Sequence, residues 1–221
     1  MGETIFSVLG PIMVGPSSSH TAGVARLGQI ARNILDKKPE GAEITFLGSF
    51  ATTYKGHGSD RAVIGGLLGM DSSDARIPRA LEIAAEEGLS YKIRTIEQTA
   101  GHPNSLEIVL WNGEEKIELA GSSRGGGNIL VEKINGFDVH LDGKYPSLWI
   151  LHYDRPGMVG KIASLLAEKH INIAYMRLER SQPRGLASMT IECDDSLEKE
   201  LIEEIRQKEF VESCRYIPRV R

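Results

Sequence analysis

The chain has 221 residues, 41% of them hydrophobic and 25% charged, and a formal net charge of −4. That length suits one large domain or two small ones. The acidic balance excludes a phosphate-coating surface for nucleic acid, which needs a basic face. No apolar run approaches the ~20 residues that cross a bilayer.

The start, Met1-Gly2-Glu3-Thr4, lacks the basic opening and apolar core of a signal peptide, so a cytoplasmic location is expected. Ser17 to Thr21 precede a helical stripe of Val24, Leu27, Ile30, Ala31, Ile34 and Leu35. A strand is predicted around Ile44 to Gly48. Asp60 is a candidate cap for a short helix through Ala62 to Leu68. Another helix opens near Pro78 and stops at Gly88. Strands follow over Tyr91–Ile96 and Ser105–Trp111.

Asn112-Gly113 and Asn135-Gly136 are hairpin signals, because both central positions of a type I′ turn need positive φ. They join Leu106–Trp111 to Lys116–Ala120 and Ile129–Ile134 to Asp138–Leu141. The expectation for residues 1–142 is a mixed α/β domain with an antiparallel component. A polar stretch, Asp142 to Pro146, marks the boundary.

Residues 147–221, about 75 in all, form a plausible small domain. Leu148–His152 is a strand, and Gly157–Lys169 a helix with Val159, Ile162, Leu165 and Leu166 on one face. Asn172–Arg180 and Ala187–Glu192 pair as strands. Leu197–Gln207 is a helix with Leu201 and Ile205 inward, and Val211–Ile217 a last strand. This β-α-β-β-α-β order is the ferredoxin-like split pattern, so the fold class expected for the whole chain is α/β (α+β).

Gly15-Pro16-Ser17-Ser18-Ser19-His20-Thr21 is the most informative stretch. Hydroxyls and free N–H groups at the positive end of a helix suit a carboxylate or phosphate. His20 adds a group that holds or moves a proton near neutral pH. The plainer reading is an elaborate helix cap.

In Gly56-His57-Gly58-Ser59-Asp60-Arg61, two glycines expose an imidazole, and Arg61 could pair a carboxylate. The stretch is neither a Walker loop nor a dinucleotide fingerprint, and His57 alone reads equally as loop structure or ligand contact. His102-Pro103-Asn104 places a third histidine in a rigid turn, and Gly121 to Gly127 makes a second Gly/Ser loop.

His20, His57 and His102 lack the short local spacing of a ligand pair, so no metal site is expected. His140, His152 and His170 read as structural or surface residues. The acidic run Glu198 to Glu204 reads as a solvated helix face. Cys193 and Cys214, the only cysteines, match no zinc or iron–sulfur spacing and read as buried thiols.

These segments, in this order, resemble the beta chain of two-subunit iron–sulfur L-serine dehydratases. Asp154-Arg155-Pro156-Gly157-Met158-Val159, with Ile171-Asn172-Ile173-Ala174 and Met176, resembles an ACT regulatory domain. The resemblance implies a lyase forming pyruvate and ammonia from L-serine. An alpha subunit would hold the [4Fe–4S] cluster, whose iron acts as a Lewis acid on the substrate hydroxyl. The chain would be inactive alone.

The first part is also similar to the allosteric substrate-binding domain of some phosphoglycerate dehydrogenases. Carried over, Ser17, Ser18, Ser19, His20 and Thr21 grip an amino-acid carboxylate or line the subunit boundary. His57, Arg61, His102 and Asn104 complete the pocket, with His20 and His57 the candidates for a catalytic role. Asp154, Gly157 and Asn172 match the ACT effector loop, although the unit could serve dimerisation only. A homodimer of the isolated chain is expected, and the resemblance leaves room for a monovalent cation. The competing readings are a stand-alone serine sensor without activity and the detached regulatory half of a serine-pathway dehydrogenase.

Overall fold

The computed structural model describes residues 12–98 and 100–220. It consists of two sheets with helices against them. The first helical segment opens as a π-helical turn, Ser18–Gly23, and continues as α1, Val24–Leu35. Every residue of the expected apolar stripe on α1 is buried. Asp36 closes the helix in the left-handed conformation at φ 58°.

The next elements are β1 (Gly41–Gly48), α2 (Ser49–Thr53) and α3 (Ser59–Leu67). After a short 3₁₀ turn holding Pro78 comes α4 (Ala80–Glu86), which Gly88 at φ 76° ends. β2 (Ser90–Ile96), β3 (Asn104–Asn112), β4 (Glu115–Gly125), β5 (Asn128–Ile134) and β6 (Phe137–Leu141) complete a six-stranded sheet in the order β2-β1-β3-β4-β5-β6. Only β1 and β2 run parallel.

The core lies where Ala42, Ile44, Phe46, Leu106, Ile108 and Leu110 meet the buried stripe of α1 and the face of α3. α1 and α3 cross closely at Gly28 and Gly66. A Cβ on Gly28 would stand 2.6 Å from the Val63 carbonyl, so a larger residue there forces the helices apart.

The second sheet has β7 (Ser147–Tyr153), β8 (Ile173–Arg180), β9 (Leu186–Cys193) and β10 (Val211–Ile217), in the antiparallel order β10-β7-β9-β8. Helices α5 (Met158–Glu168) and α6 (Lys199–Arg206) supply the crossovers, so the ferredoxin-like reading holds. Leu148, Ile150, Met189, Ile191 and Cys214 pack under these helices. The opposite face is also covered: Trp149 and Ile217 belong to the first core. Buried Trp149 Nε1–H donates to Ser188 Oγ at 2.8 Å.

Three local expectations need correction. Val159 is 40% exposed, and Met158 takes its place on the inner face of α5. Asn112 pairs with Glu115, so the first hairpin loop is Gly113-Glu114. Positive φ at Gly113 alone fits a type II′ turn rather than I′. Asn112 instead spends its side-chain amide on the Lys38 carbonyl, at 2.9 Å. The second Asn-Gly has both residues at positive φ, as expected. Asp60 is not the cap of α3: Gly58, at φ 68°, occupies that position, and the Asp60 carboxylate accepts the neighbouring Arg61 N–H. Among the described residues no helix is long and apolar enough to cross a membrane.

Candidate functional site

The serine-rich turn is built around Ser17. Its extended backbone (φ −142°, ψ 124°) ends the preceding chain, and its hydroxyl accepts the His20 N–H at 3.2 Å. It is a genuine N-cap. The helical segment it caps begins with a π turn rather than a plain α start, a form that recurs at functional sites. Gly15 permits the approach: a Cβ there would sit 2.6 Å from Thr21 Oγ1, and its φ is 148°.

His20 is held on one side by hydroxyls, with Nδ1 3.0 Å from Ser19 Oγ and 3.3 Å from Ser17 Oγ. Its Nε2 is buried without a hydrogen-bond partner. Its ring stands 4.6 Å from the His57 ring and edge-on to Phe50 at 4.9 Å. Burial, and next the charge of His57, push the His20 pKa down. His20 is therefore a neutral imidazole at neutral pH, able to accept a proton.

The His57 loop is fastened to the serine turn, since Thr21 Oγ1 donates to the His57 carbonyl at 3.2 Å. His57 Nδ1 lies 3.3 Å from the Thr53 carbonyl, which can only accept. A hydrogen bond there needs the proton on Nδ1. Two imidazoles, the His20 one with a buried Nε2 that has no partner among the described residues, thus come together beside the hydroxyls of Ser17 and Ser19.

His102 and Asn104 form a separate turn. The Asn104 N–H donates to His102 Nδ1 at 3.1 Å, and Ser105 Oγ donates to the His102 carbonyl at 2.7 Å. Burial and then the Arg124 charge lower the His102 pKa, with Glu132 acting in the other direction. Pro103 joins the turn to the start of α2 by accepting the Ser49 N–H at 2.7 Å. Arg61 is exposed on α3 and, among the described residues, has no ion pair.

Sequence reasoning passed over three features here. Phe50 packs on His20, but an apolar residue in a short helix carries no chemical signal. Arg26 donates to the Gly127 carbonyl and so fastens the triple-glycine turn to α1; burial lowers its pKa. A cation inside the apolar stripe of α1 was the available signal. The hydroxyls of Ser59, Ser122 and Ser123 are buried and have no partner among the described residues.

The ACT positions are not gathered within one chain. The Asp154 carboxylate accepts from Arg180 at 3.3 Å and from the Arg184 N–H at 3.1 Å. Asn172 donates to Asp194 at 2.6 Å, at the opposite end of the same sheet. Gly157, at φ 89°, caps α5.

Among the described residues no group of three or more His, Cys, Asp or Glu side chains could hold a metal. Cys193 and Cys214 are buried, and burial pushes their thiols up to about 11 and about 12. Thiols so far from ionising, in the core under α5 and α6, do not fit an iron–sulfur cluster.

The description "Serine dehydratase beta chain" fits residues 5–134, and "ACT domain" fits residues 149–210. The probable L-serine dehydratase beta chain of Bacillus subtilis is 41% identical over 92% of both chains. The L-serine dehydratase beta chain of Peptoniphilus asaccharolyticus is 37% identical over 96% of both. A D-3-phosphoglycerate dehydrogenase of Archaeoglobus fulgidus is 26% identical over 87% of this chain but only 37% of its own length. The serine turn, the paired histidines and the ACT unit thus occur together in a chain that belongs to the serine dehydratase beta-chain family.

Proposed function

We propose that this chain is the cluster-free half of a cytoplasmic L-serine dehydratase, converting L-serine to pyruvate and ammonia together with an alpha subunit. The observation that carries this reading is the pairing of His20 and His57, 4.6 Å apart, beside the hydroxyls of a helix start. Such a wall can grip a carboxylate and take a proton, yet among the described residues it lacks the three or more ligand side chains that would hold a metal, and it offers no thiolate. A [4Fe–4S] cluster would therefore come entirely from the partner.

In this reading Ser17, Ser18, Ser19 and Thr21 orient the amino-acid carboxylate at the positive end of the helical segment. His20, whose pKa burial lowers, holds or moves the proton together with His57, and Phe50 keeps water from one side of His20. His102, Asn104 and Arg61 line the approach at the subunit boundary. The units are residues 1–142 and the ACT domain 147–221.

A homodimer of the isolated chain would form along β8, an edge strand with Tyr175 and Leu178 exposed. Antiparallel two-fold pairing of β8 would set Arg177 against Glu179 of the second copy. It would also bring Asn172 of one copy to the Asp154 end of the other, assembling the effector positions that a single chain keeps apart.

The test is anaerobic purification of the tagged chain from its native cells, with assays for iron, sulfide and pyruvate from L-serine. Co-purification of a cysteine-bearing partner with activity, lost on His20→Ala, supports the proposal. A colourless, inactive chain that still binds L-serine in calorimetry identifies a stand-alone sensor instead.

A further inference from the structure

A cleft of about 650 Å³ lies between the end of α1 and α6, within the size range of small-molecule sites. Both domains contribute to it. Arg32, Asp36, Lys37 and Lys38 come from α1 and the chain just after it, and Lys199 and Arg206 from α6. It is distinct from the serine turn, which occupies the other end of the same helical segment.

The charge in the cleft is opposite to that of the chain. Five cationic side chains line it against two carboxylates, Asp36 and Glu203, in a protein of net charge −4. Both carboxylates are already engaged by Arg206, at 2.6 and 3.2 Å. Lys37 and Lys38 reach to Glu115 and Glu87, but these lysines are 53% and 54% exposed. Exposed pairs of this kind contribute only about 0–1 kcal/mol and are readily exchanged for another anion. Lys199 has no ion pair among the described residues.

The end of a helix attracts cations through its dipole, which accounts for Lys37 and Lys38. It does not account for Lys199, which stands at the start of a different helix and on the other domain. Ile202, Tyr216 and Pro218 add an apolar and aromatic wall to the same cleft. Cations converging from both helices, beside an apolar and aromatic wall, match a phosphate group attached to a flat or apolar body.

We propose that this interdomain cleft binds a small phosphorylated molecule of nucleotide size. Its phosphates lie among Lys37, Lys38 and Lys199, and its body rests on Tyr216 and Ile202. Such a ligand touches both domains and so favours the docked arrangement over any in which α6 leaves α1. The proposal does not rest on the dehydratase reading, because it is read by binding to this chain alone.

The experiment is calorimetry of the full chain with ADP, pyrophosphate and adenosine, at low and at physiological salt. Saturable binding of one ADP per chain is expected, weaker for pyrophosphate and absent for adenosine. Lys199→Glu, at an exposed position, should weaken ADP by roughly tenfold or more while leaving the circular dichroism and Tm unchanged. Absence of ADP binding overturns the proposal, as does binding that Lys199→Glu leaves intact. Pyrophosphate binding as tightly as ADP overturns the role of the Tyr216 wall.

Discussion

Arg206 Nη2 donates to Asp36 Oδ2 at 2.6 Å, tying the last helix of the C-terminal unit to the residue that closes α1. Arg215 Nη1 stands 3.7 Å from the same carboxylate, and Arg215 also pairs with Glu115 at the first hairpin. Arg215 is only 18% exposed, so this network is better shielded than an ordinary surface pair. A helix and a strand of the ACT unit, α6 and β10, thereby converge on one left-handed residue of the first domain.

Asp36→Asn keeps a residue that tolerates positive φ and removes the charge. It should lower stability by about 1 kcal/mol, seen as a lower urea midpoint. Because the contribution is electrostatic, the difference from wild type should shrink at high salt. An unchanged midpoint would show that the network does not hold the domains.

Trp149 connects the two cores more strongly. Trp149→Phe leaves Ser188 buried without its donor partner and removes part of the indole volume, at a cost of about 1–3 kcal/mol. Trp149→Ala should cost roughly 3–5 kcal/mol. Denaturation followed by near-ultraviolet and by far-ultraviolet dichroism should separate into two transitions in the alanine variant. A single coincident transition would argue against Trp149 as the coupling residue.

The His20 pKa lies below its ordinary value of 6.5. The unfolded chain therefore binds the proton first as the pH falls, and the fold loses stability from about 6.5 downward through the folded pKa. Above 6.5 both states are neutral and the effect vanishes. His20→Asn should flatten this acid-side slope in pH-dependent urea melts; an unaltered slope would mean that His20 is freely protonated in place.

Glu192 behaves in the opposite sense. Burial, and next the neighbouring Asp142, push its carboxyl up to about 7, against 4.5 when exposed, with Lys144 opposing. Between 4.5 and about 7 the folded state holds the proton that the unfolded state has lost, so stability falls as the pH rises through that window. Glu192→Gln should stabilise the protein by about 1–2 kcal/mol above pH 7 and have no effect below 4.5. Thermal melts at both ends of the window would distinguish the cases.

Local elements were legible because their signals are local. The stripe on α1, the Asn135-Gly136 turn and the β-α-β-β-α-β rhythm each arise from periodicity or turn chemistry within a few residues. Ser17 as a cap was legible for the same reason. Gly113 was misread because the Asn-Gly dipeptide fits more than one register, and the pairing of Asn112 with Glu115 is decided by the whole β3–β4 ladder.

By itself, then, the order of residues determined the elements, the ferredoxin-like unit and the serine turn as a capped helix start. Tertiary structure alone decided that His20 meets His57 rather than His102, and that the ACT sheet is covered on its second face. Apolar Leu148, Trp149 and Ile150 in succession say that a strand is buried on both sides, but not by what. That choice belongs to α1, whose far end also carries the serine turn, because packing joins residues by shape and burial rather than by distance along the chain.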